Sequence, residues 1–428
     1  MKMRTVLALA LSACFGASQA LVVNYQPTPY PLKMADGSAM PQDLDKIHVI
    51  DGWLTNSYQT SLVRDGQLKI GGWGDVYVFG LNFDLTGLPI NPNRATLWLN
   101  SFAIPGNSTQ TQYQICIPSA AWDAKMTFAA RPALLGCTQP YAAPGYGWSG
   151  WTITSWYQNW QSGVWGRYGM MFSPMANNNN FVQFRSSRYA DFAADPAADG
   201  KRPLLQFDIT PSIELKMPLP AGYTWQLTNE IGGFECRGTK PWPDIAHQGT
   251  NYFSLDISYK NSASPGSVSG KYSQLNTPVL AAAYGKIVFA GGGNNPGDYN
   301  GYNLTIDHDG DGNLGTGFQT RYLHFKGPAA RKDGTLLKVG DIVQQGDQIG
   351  VMGTTGKMPD STPTSTGVHL HFGLRYKNDG SPSVQELTRA VMEGLLWKSY
   401  QTECKTNTSG VPTDWGRYYN STNVPTGK

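Results

Sequence analysis

Histidine and cysteine are scarce: six and five in 428 residues. The cysteines are too few and too scattered for a Cys-type structural zinc site, and no HExxH pair is present, which excludes a zinc centre of the HExxH helix type. Charge is also sparse. Asp, Glu, Lys and Arg make up 15% of the chain, and the net charge of +3 is spread without a Lys/Arg cluster, so the basic footprint needed to bind nucleic acid is missing. Beyond the N-terminus no apolar run approaches the roughly 20 residues of a membrane-spanning helix. No internal repeat, low-complexity tract or coiled-coil heptad is visible, which removes solenoid and fibrous architectures.

What the chain has instead is 49 glycines, 28 prolines, 13 tryptophans and 22 tyrosines. That mixture suits many short strands joined by tight turns, with large aromatic surfaces to bury or display. The length allows two or three domains of ordinary size.

Residues 1–20 read as a secretory signal: Lys2 and Arg4 precede an apolar run from Val6 to Gly16, and Ser18-Gln19-Ala20 offers small residues for cleavage. The mature chain is then expected to start near Leu21 and to be secreted. Leu11-Ser12-Ala13-Cys14 supports an alternative, a lipid anchor on Cys14, and a periplasmic location is a third possibility. Without Cys14, four cysteines remain in an oxidising setting. Pairing within each proposed domain joins Cys116 to Cys137 and Cys236 to Cys404.

The expected fold class is all-β, in two halves. Residues 21–210 contain alternating stretches such as VYVFGLNFDL, ATLWLNSFAI, YGMMFSP, FVQFRSS and PLLQFDI, the pattern of a jelly-roll β-sandwich. Trp122-Asp123 to Met126-Thr127-Phe128 with Arg131-Pro132, the run Trp151 to Trp160, and Phe184-Arg185-Ser186-Ser187 resemble the DNRLRE-type modules of secreted bacterial proteins. That resemblance implies a targeting role through polysaccharide, or a propeptide, although most single tryptophans in a sandwich are core. Residues 211–220, with three prolines, read as a linker that a protease could reach.

The second half, residues 221–428, holds five of the six histidines. In Thr366-Gly-Val-His-Leu-His-Phe372 the two histidines are two apart, so on a strand His369 and His371 share one face while Val368, Leu370 and Phe372 face a core. Phe253, Leu255 and Ile257 alternate against Asp256 in the same way, nine positions after His247. Arg321-Tyr-Leu-His324-Phe325 places Tyr322 and His324 on one expected face and Leu323 and Phe325 on the other. Two imidazoles and a carboxylate make the ligand set of a catalytic zinc with an open position.

The motifs His247 to Asp256, Ala283 to Ala290, Asn303 to His308, Tyr322-Leu-His324-Phe, Val339 to Gly350 and Thr366 to Phe372 together resemble the lysostaphin/LytM-type zinc endopeptidases, including the LasA staphylolysin branch. The nine-residue interval from His247 to Asp256 is closer to that branch than the four-residue interval of many members. The resemblance implies an antiparallel-sheet peptidase domain with an open groove and a C-terminal extension. It also implies Zn2+ held by His247, Asp256 and His371, with His369 and His324 as catalytic histidines. Base and oxyanion-stabilising roles are not divided between those two, and Tyr322 is an additional candidate. Peptidoglycan peptides, cut near glycine, are the implied substrate. The alternatives are a glycine-rich protein such as elastin, and a non-catalytic wall-binding or amidase-activating role.

Other signals carry less. Asp307-His-Asp309-Gly-Asp311-Gly312-Asn313 resembles the start of an EF-hand loop, but Phe318 stands where the bidentate Glu belongs, so a Gly/Asp-rich hairpin loop is expected. His308 within it and His48 in the first half read as structural. Gly291 to Gly297 opens no helix and so fails as a nucleotide loop. Val384 to Trp397 has the spacing of an amphipathic helix.

Overall fold

The computed structural model describes residues 20–27, 38, 48–58, 60–103, 111–142, 144–175, 180–189, 199–232, 247, 249–259, 276–365, 367–378, 381–401, 404–406 and 412–427. The protein is nearly all-β, with antiparallel sheets in both halves. None of its described helices is long and apolar enough to cross a membrane.

The five alternating stretches of the first half all form strands of one twelve-stranded antiparallel sheet. Leu204–Ile209 shows why: Leu205, Phe207 and Ile209 are buried on one face and the intervening residues are half-buried on the other. Of the tryptophans, Trp151 and Trp160 sit in the core, whereas Trp73 and Trp148 are exposed. Cys116 and Cys137 are cross-strand partners and form a disulfide. Cys236 lies outside the described residues, so the second expected pairing does too.

The second half is built on a nine-stranded sheet whose order is Ile342–Val343, Gly285–Gly291, Tyr302–Asp307, Gly317–Phe325, His369–Asn378, Ser254–Tyr259, Thr224–Asn229 and Arg417–Asn420, with Ser381–Pro382 paired off that path. The strand His369–Asn378 is central. Its Leu370 and Phe372 are fully buried against Leu255, Ile257 and Tyr322 in one apolar cluster, each burial stabilising by roughly 1.5–3 kcal/mol. The opposite face of the same strand is left to polar side chains.

Two expectations fail here. The stretch 211–220 is packed: Ile213–Leu215 pairs in parallel with Ala390–Met392, and Leu215, Met217 and Leu219 are buried in the core of the second half. Its prolines alternate with apolar side chains that find a core, which outweighs the reading as an exposed tether. Residues 384–397 do not form one helix. Helix is confined to Val384–Leu387, followed by strands Ala390–Met392 and Leu395–Leu396 and a short 3-10 turn from Trp397. Glu393 and Gly394 both have positive φ, so the chain reverses there, and the parallel partner at 213–215 decides the outcome over local periodicity.

The halves meet over an interface of mixed chemistry. Val391 and Leu396 insert into the core of the first half. Lys398 Nζ, buried, lies 3.4 Å from Asp84 Oδ2, Gln401 donates to the Tyr25 hydroxyl at 3.0 Å, and His48 Nε2 lies 2.6 Å from Glu230 Oε1.

Candidate active site

Strand register assembles the site. Asp256 is the direct cross-strand partner of His371, and Ser258 that of His369, so period-two alternation on two neighbouring strands puts the carboxylate and both imidazoles on one face. His247, also buried, adds a third imidazole. Asp256 Oδ1 lies 3.0 Å from His371 Nδ1, 3.3 Å from His247 Nε2 and 3.6 Å from His369 Nε2, and His247 Nε2 lies 3.2 Å from His371 Nδ1.

Three of these groups could hold a metal ion. One donor atom each from His247, Asp256 and His371 falls within 4.8 Å of the others, and all three residues are buried. A tetrahedral ion with bonds of about 2.0–2.1 Å holds its ligand atoms about 3.3 Å apart, close to the 3.0–3.3 Å found between these donors. Asp256 Oδ1 is buried with no aligned hydrogen bond, an orphan that a cation would satisfy. The residues present therefore fit a zinc-like ion of mixed nitrogen and oxygen ligation.

The surroundings orient each donor. Asn229 Nδ2 donates to Asp256 Oδ2 at 3.0 Å, turning Oδ1 toward the histidines, and His247 Nδ1 faces the Glu230 carbonyl at 3.2 Å. Burial alone would raise the Asp256 carboxyl, yet facing His247, His369 and His371 holds it well below the usual carboxylate range. Burial pushes His371 down to about 4, against the pull of Asp256. His324 is pushed down to about 3 by burial and by the neighbouring His369 and His371. Both rings are therefore neutral at pH 7.

His369 and His324 stand beside the donor set, with ring centroids 5.0 Å apart. His369 Nδ1 lies 2.9 Å from the Gly367 carbonyl, and His324 Nδ1 lies 2.7 Å from the Thr355 carbonyl. Only a protonated Nδ1 fits against a carbonyl oxygen, so Nε2 is the nitrogen each ring has to offer as an acceptor.

The placement of His324 departs from simple alternation. Tyr322 is fully buried, packed on Phe372 with ring centroids 5.1 Å apart, and its hydroxyl accepts from the Ala282 N–H at 3.0 Å. It belongs to the core and not to the site. Leu323 is the cross-strand partner of His371, on the face expected for Tyr322. His324 nevertheless reaches that face because its φ is +66°, a left-handed turn that breaks the period of two and is uncommon for a side chain with a Cβ. The turn is held by the His324 N–H on the Asn300 carbonyl at 3.1 Å and by Gly301, where a Cβ would collide with the Thr355 carbonyl oxygen.

Sequence reasoning missed Asn229, Glu230, Thr355 and Gly301, which carry no motif and act only through tertiary proximity. His48, read as structural, is buried against Glu230. His308 is structural as expected, its ring nitrogens 2.7 Å from the Tyr284 carbonyl and 2.8 Å from the Thr320 hydroxyl.

With four histidines and one carboxylate gathered on a sheet face, the comparison with known families is direct. Residues 271–383 match Peptidase family M23. The M23 match contains His324, His369 and His371, while His247 and Asp256 precede it. A stretch of 104 residues, 24% of the chain, is 30% identical to the peptidoglycan DD-endopeptidase ShyB of Vibrio cholerae and spans 19% of that protein. Among solved structures, the M23 metalloprotease pseudoalterin from the deep sea is 21% identical over 40% of this chain and 74% of its own, with a TM-score of 0.25. Csd3 of Helicobacter pylori is 14% identical over 83% of this chain and 73% of its own, with a TM-score of 0.23.

Proposed function

We propose that the protein is a zinc-dependent endopeptidase that hydrolyses peptide bonds of bacterial peptidoglycan. The observation that carries this reading is the buried His247, Asp256 and His371 donor set with two further histidines beside it. The M23 match and the name of the Vibrio relative support the reaction class and the wall substrate.

Bound at these three donors, zinc would polarise the scissile carbonyl and lower the pKa of a bound water toward ~7. The chain's own residues do the rest. His369 takes a proton at Nε2, the atom nearest the donor set, while the Gly367 carbonyl fixes its tautomer. His324 also presents an acceptor Nε2, so its resting role is proton uptake, and it can donate to a developing oxyanion only after taking a proton. Asn229 keeps Asp256 aimed inward. A glycine-adjacent cleavage site rests on the lysostaphin resemblance.

The first half is proposed to guide the enzyme to its substrate, and exposed Trp73 and Trp148 offer flat faces for sugar. Secretion of the chain belongs to the same reading.

Digestion of purified peptidoglycan, with mass analysis of the released peptides, tests the proposal. Fragment release that stops with a chelator and returns with zinc is expected, with glycine at or beside the new ends. Cleavage of elastin alone would move the substrate to host protein. Absence of hydrolysis from either, with zinc bound, would favour a non-catalytic wall-binding role.

A further inference from the structure

Outside the active site, the hairpin loop between strands Tyr302–Asp307 and Gly317–Phe325 gathers three carboxylates, Asp307, Asp309 and Asp311, with one oxygen from each within 4.8 Å of the others. Clustered surface carboxylates are common without an ion. Asp307 is different: the residue is fully buried, its Oδ2 accepts from the Gly312 N–H at 2.9 Å, and its Oδ1 is buried with no hydrogen-bond partner. The Asp307 carboxyl group faces the two further carboxylates. Among the described residues no ion pair reaches it, although Lys286 is the cross-strand partner of Asp307 and lies beside Gly312.

We propose that this loop is a second cation site, selective for calcium, held by Asp307, Asp309 and Asp311. Calcium binds oxygen at 2.3–2.6 Å, so two ligands of one ion lie at most about 5 Å apart, as these do. The donor set is all oxygen, because both His308 nitrogens are engaged on Tyr284 and Thr320 and turn away from the loop. Burial, together with the facing Asp309 and Asp311, pushes the Asp307 carboxyl up to about 6, the response of a carboxylate that lacks a counter-ion. Asp309 and Asp311 are exposed and partly used in the loop's own turns, the first accepting from the Asp311 N–H and the second from the Asn313 N–H and the Thr316 hydroxyl.

Phe318 supplies no bidentate carboxylate, so affinity is expected in the weak range, a Kd on the order of 10⁻⁴–10⁻³ M. The site lies at one end of the strand Gly317–Phe325 and His324 at the other, roughly 23 Å away at strand rise. Calcium here would pin the hairpin that carries His324 and act on stability, not on the chemistry.

The test uses the full chain treated with a calcium-selective chelator, titrated calorimetrically with calcium chloride and melted with and without 10 mM of the salt. Binding and a rise in Tm of about 3–10 °C are expected. Asp309→Asn combined with Asp311→Asn, both at exposed positions, should remove most of the shift, and His371→Ala should keep it. No calcium binding up to 10 mM, an undiminished shift in the double variant, or an equal shift with magnesium chloride would overturn the proposal.

Discussion

His369→Ala separates proton transfer from metal binding. The ring is the outermost of the group, 3.6 Å from Asp256 Oδ1, while the three proposed ligands contact one another at 3.0–3.3 Å without it. Its hydrogen bonds go to the loop groups of Gly367 and Ser365 and its ring packs on His324 at the edge of the site, so removal opens little core. Losing a positioned general base costs about 10²–10⁴ in turnover, or about 3–5.5 kcal/mol of barrier. His371→Ala instead deletes a buried ring lying 3.0 Å from Asp256 and 3.2 Å from His247, taking away one of three ligands. Elemental analysis of gel-filtered protein should give about one zinc per chain for wild type and His369→Ala and a large loss for His371→Ala. Peptidoglycan hydrolysis should fall in both, with circular dichroism verifying that each variant folds. Loss of zinc in His369→Ala, or wild-type turnover with zinc bound, would refute the division of roles.

Gly301→Ala should retain zinc and lower turnover, because the added methyl displaces the Thr355 carbonyl that holds His324 Nδ1; kcat and metal content measured together check it, and an unchanged kcat counts against the role of His324. Lys398→Met removes the buried cation beside Asp84 at the interface of the halves and should cost about 3 kcal/mol, read from the urea midpoint. Chelator-stripped protein should lose stability as pH falls. Unfolded histidines take up protons near pH 6.5, whereas His371 and His324 resist until about 4 and about 3, so their contribution is intact above pH 6.5 and declines below it. Asp307, raised to about 6, acts in the opposite sense between about 4 and 6, and the two histidines outweigh it. The urea-derived stability should be lower at pH 5 than at pH 7 by on the order of 1–3 kcal/mol, and an equal or higher value at pH 5 refutes the assignment.

That Asp256 and His371 each stand on the polar face of a strand was legible in the chain, because both strands alternate cleanly and apolar neighbours fix the buried face; that the two are cross-strand partners was not. His324 was legible as a candidate and illegible in its geometry. Alternation grouped it with Tyr322, and only the positive φ, imposed by contacts with Asn300 and Gly301, separates them. The same limit explains residues 211–220 and 384–397. Each looks like a tether or a helix in isolation, and each contributes a short strand that pairs with the other, across about 180 positions that no local pattern encodes. Asn229 ends a strand and Glu230 follows it, with no distinguishing motif, so their service to Asp256 and His247 emerges only from packing.

That packing bears on the extent of the functional unit. The M23 match spans residues 271–383, yet two of the three proposed ligands precede it, and one is tied to the first half of the chain. His48 lies against the Glu230 carboxylate, and the carbonyl of the same residue faces His247 Nδ1. Removing the first half would withdraw His48 from Glu230 and Asp84 from Lys398, and would expose the side chains of Val391 and Leu396. Cleavage within 211–220 would also have to open the parallel pairing of Ile213–Leu215. Contacts that reach a proposed metal ligand through one residue tie the geometry of the site to the presence of the first half. The interface therefore favours an N-terminal half that stays in place and helps to hold His247.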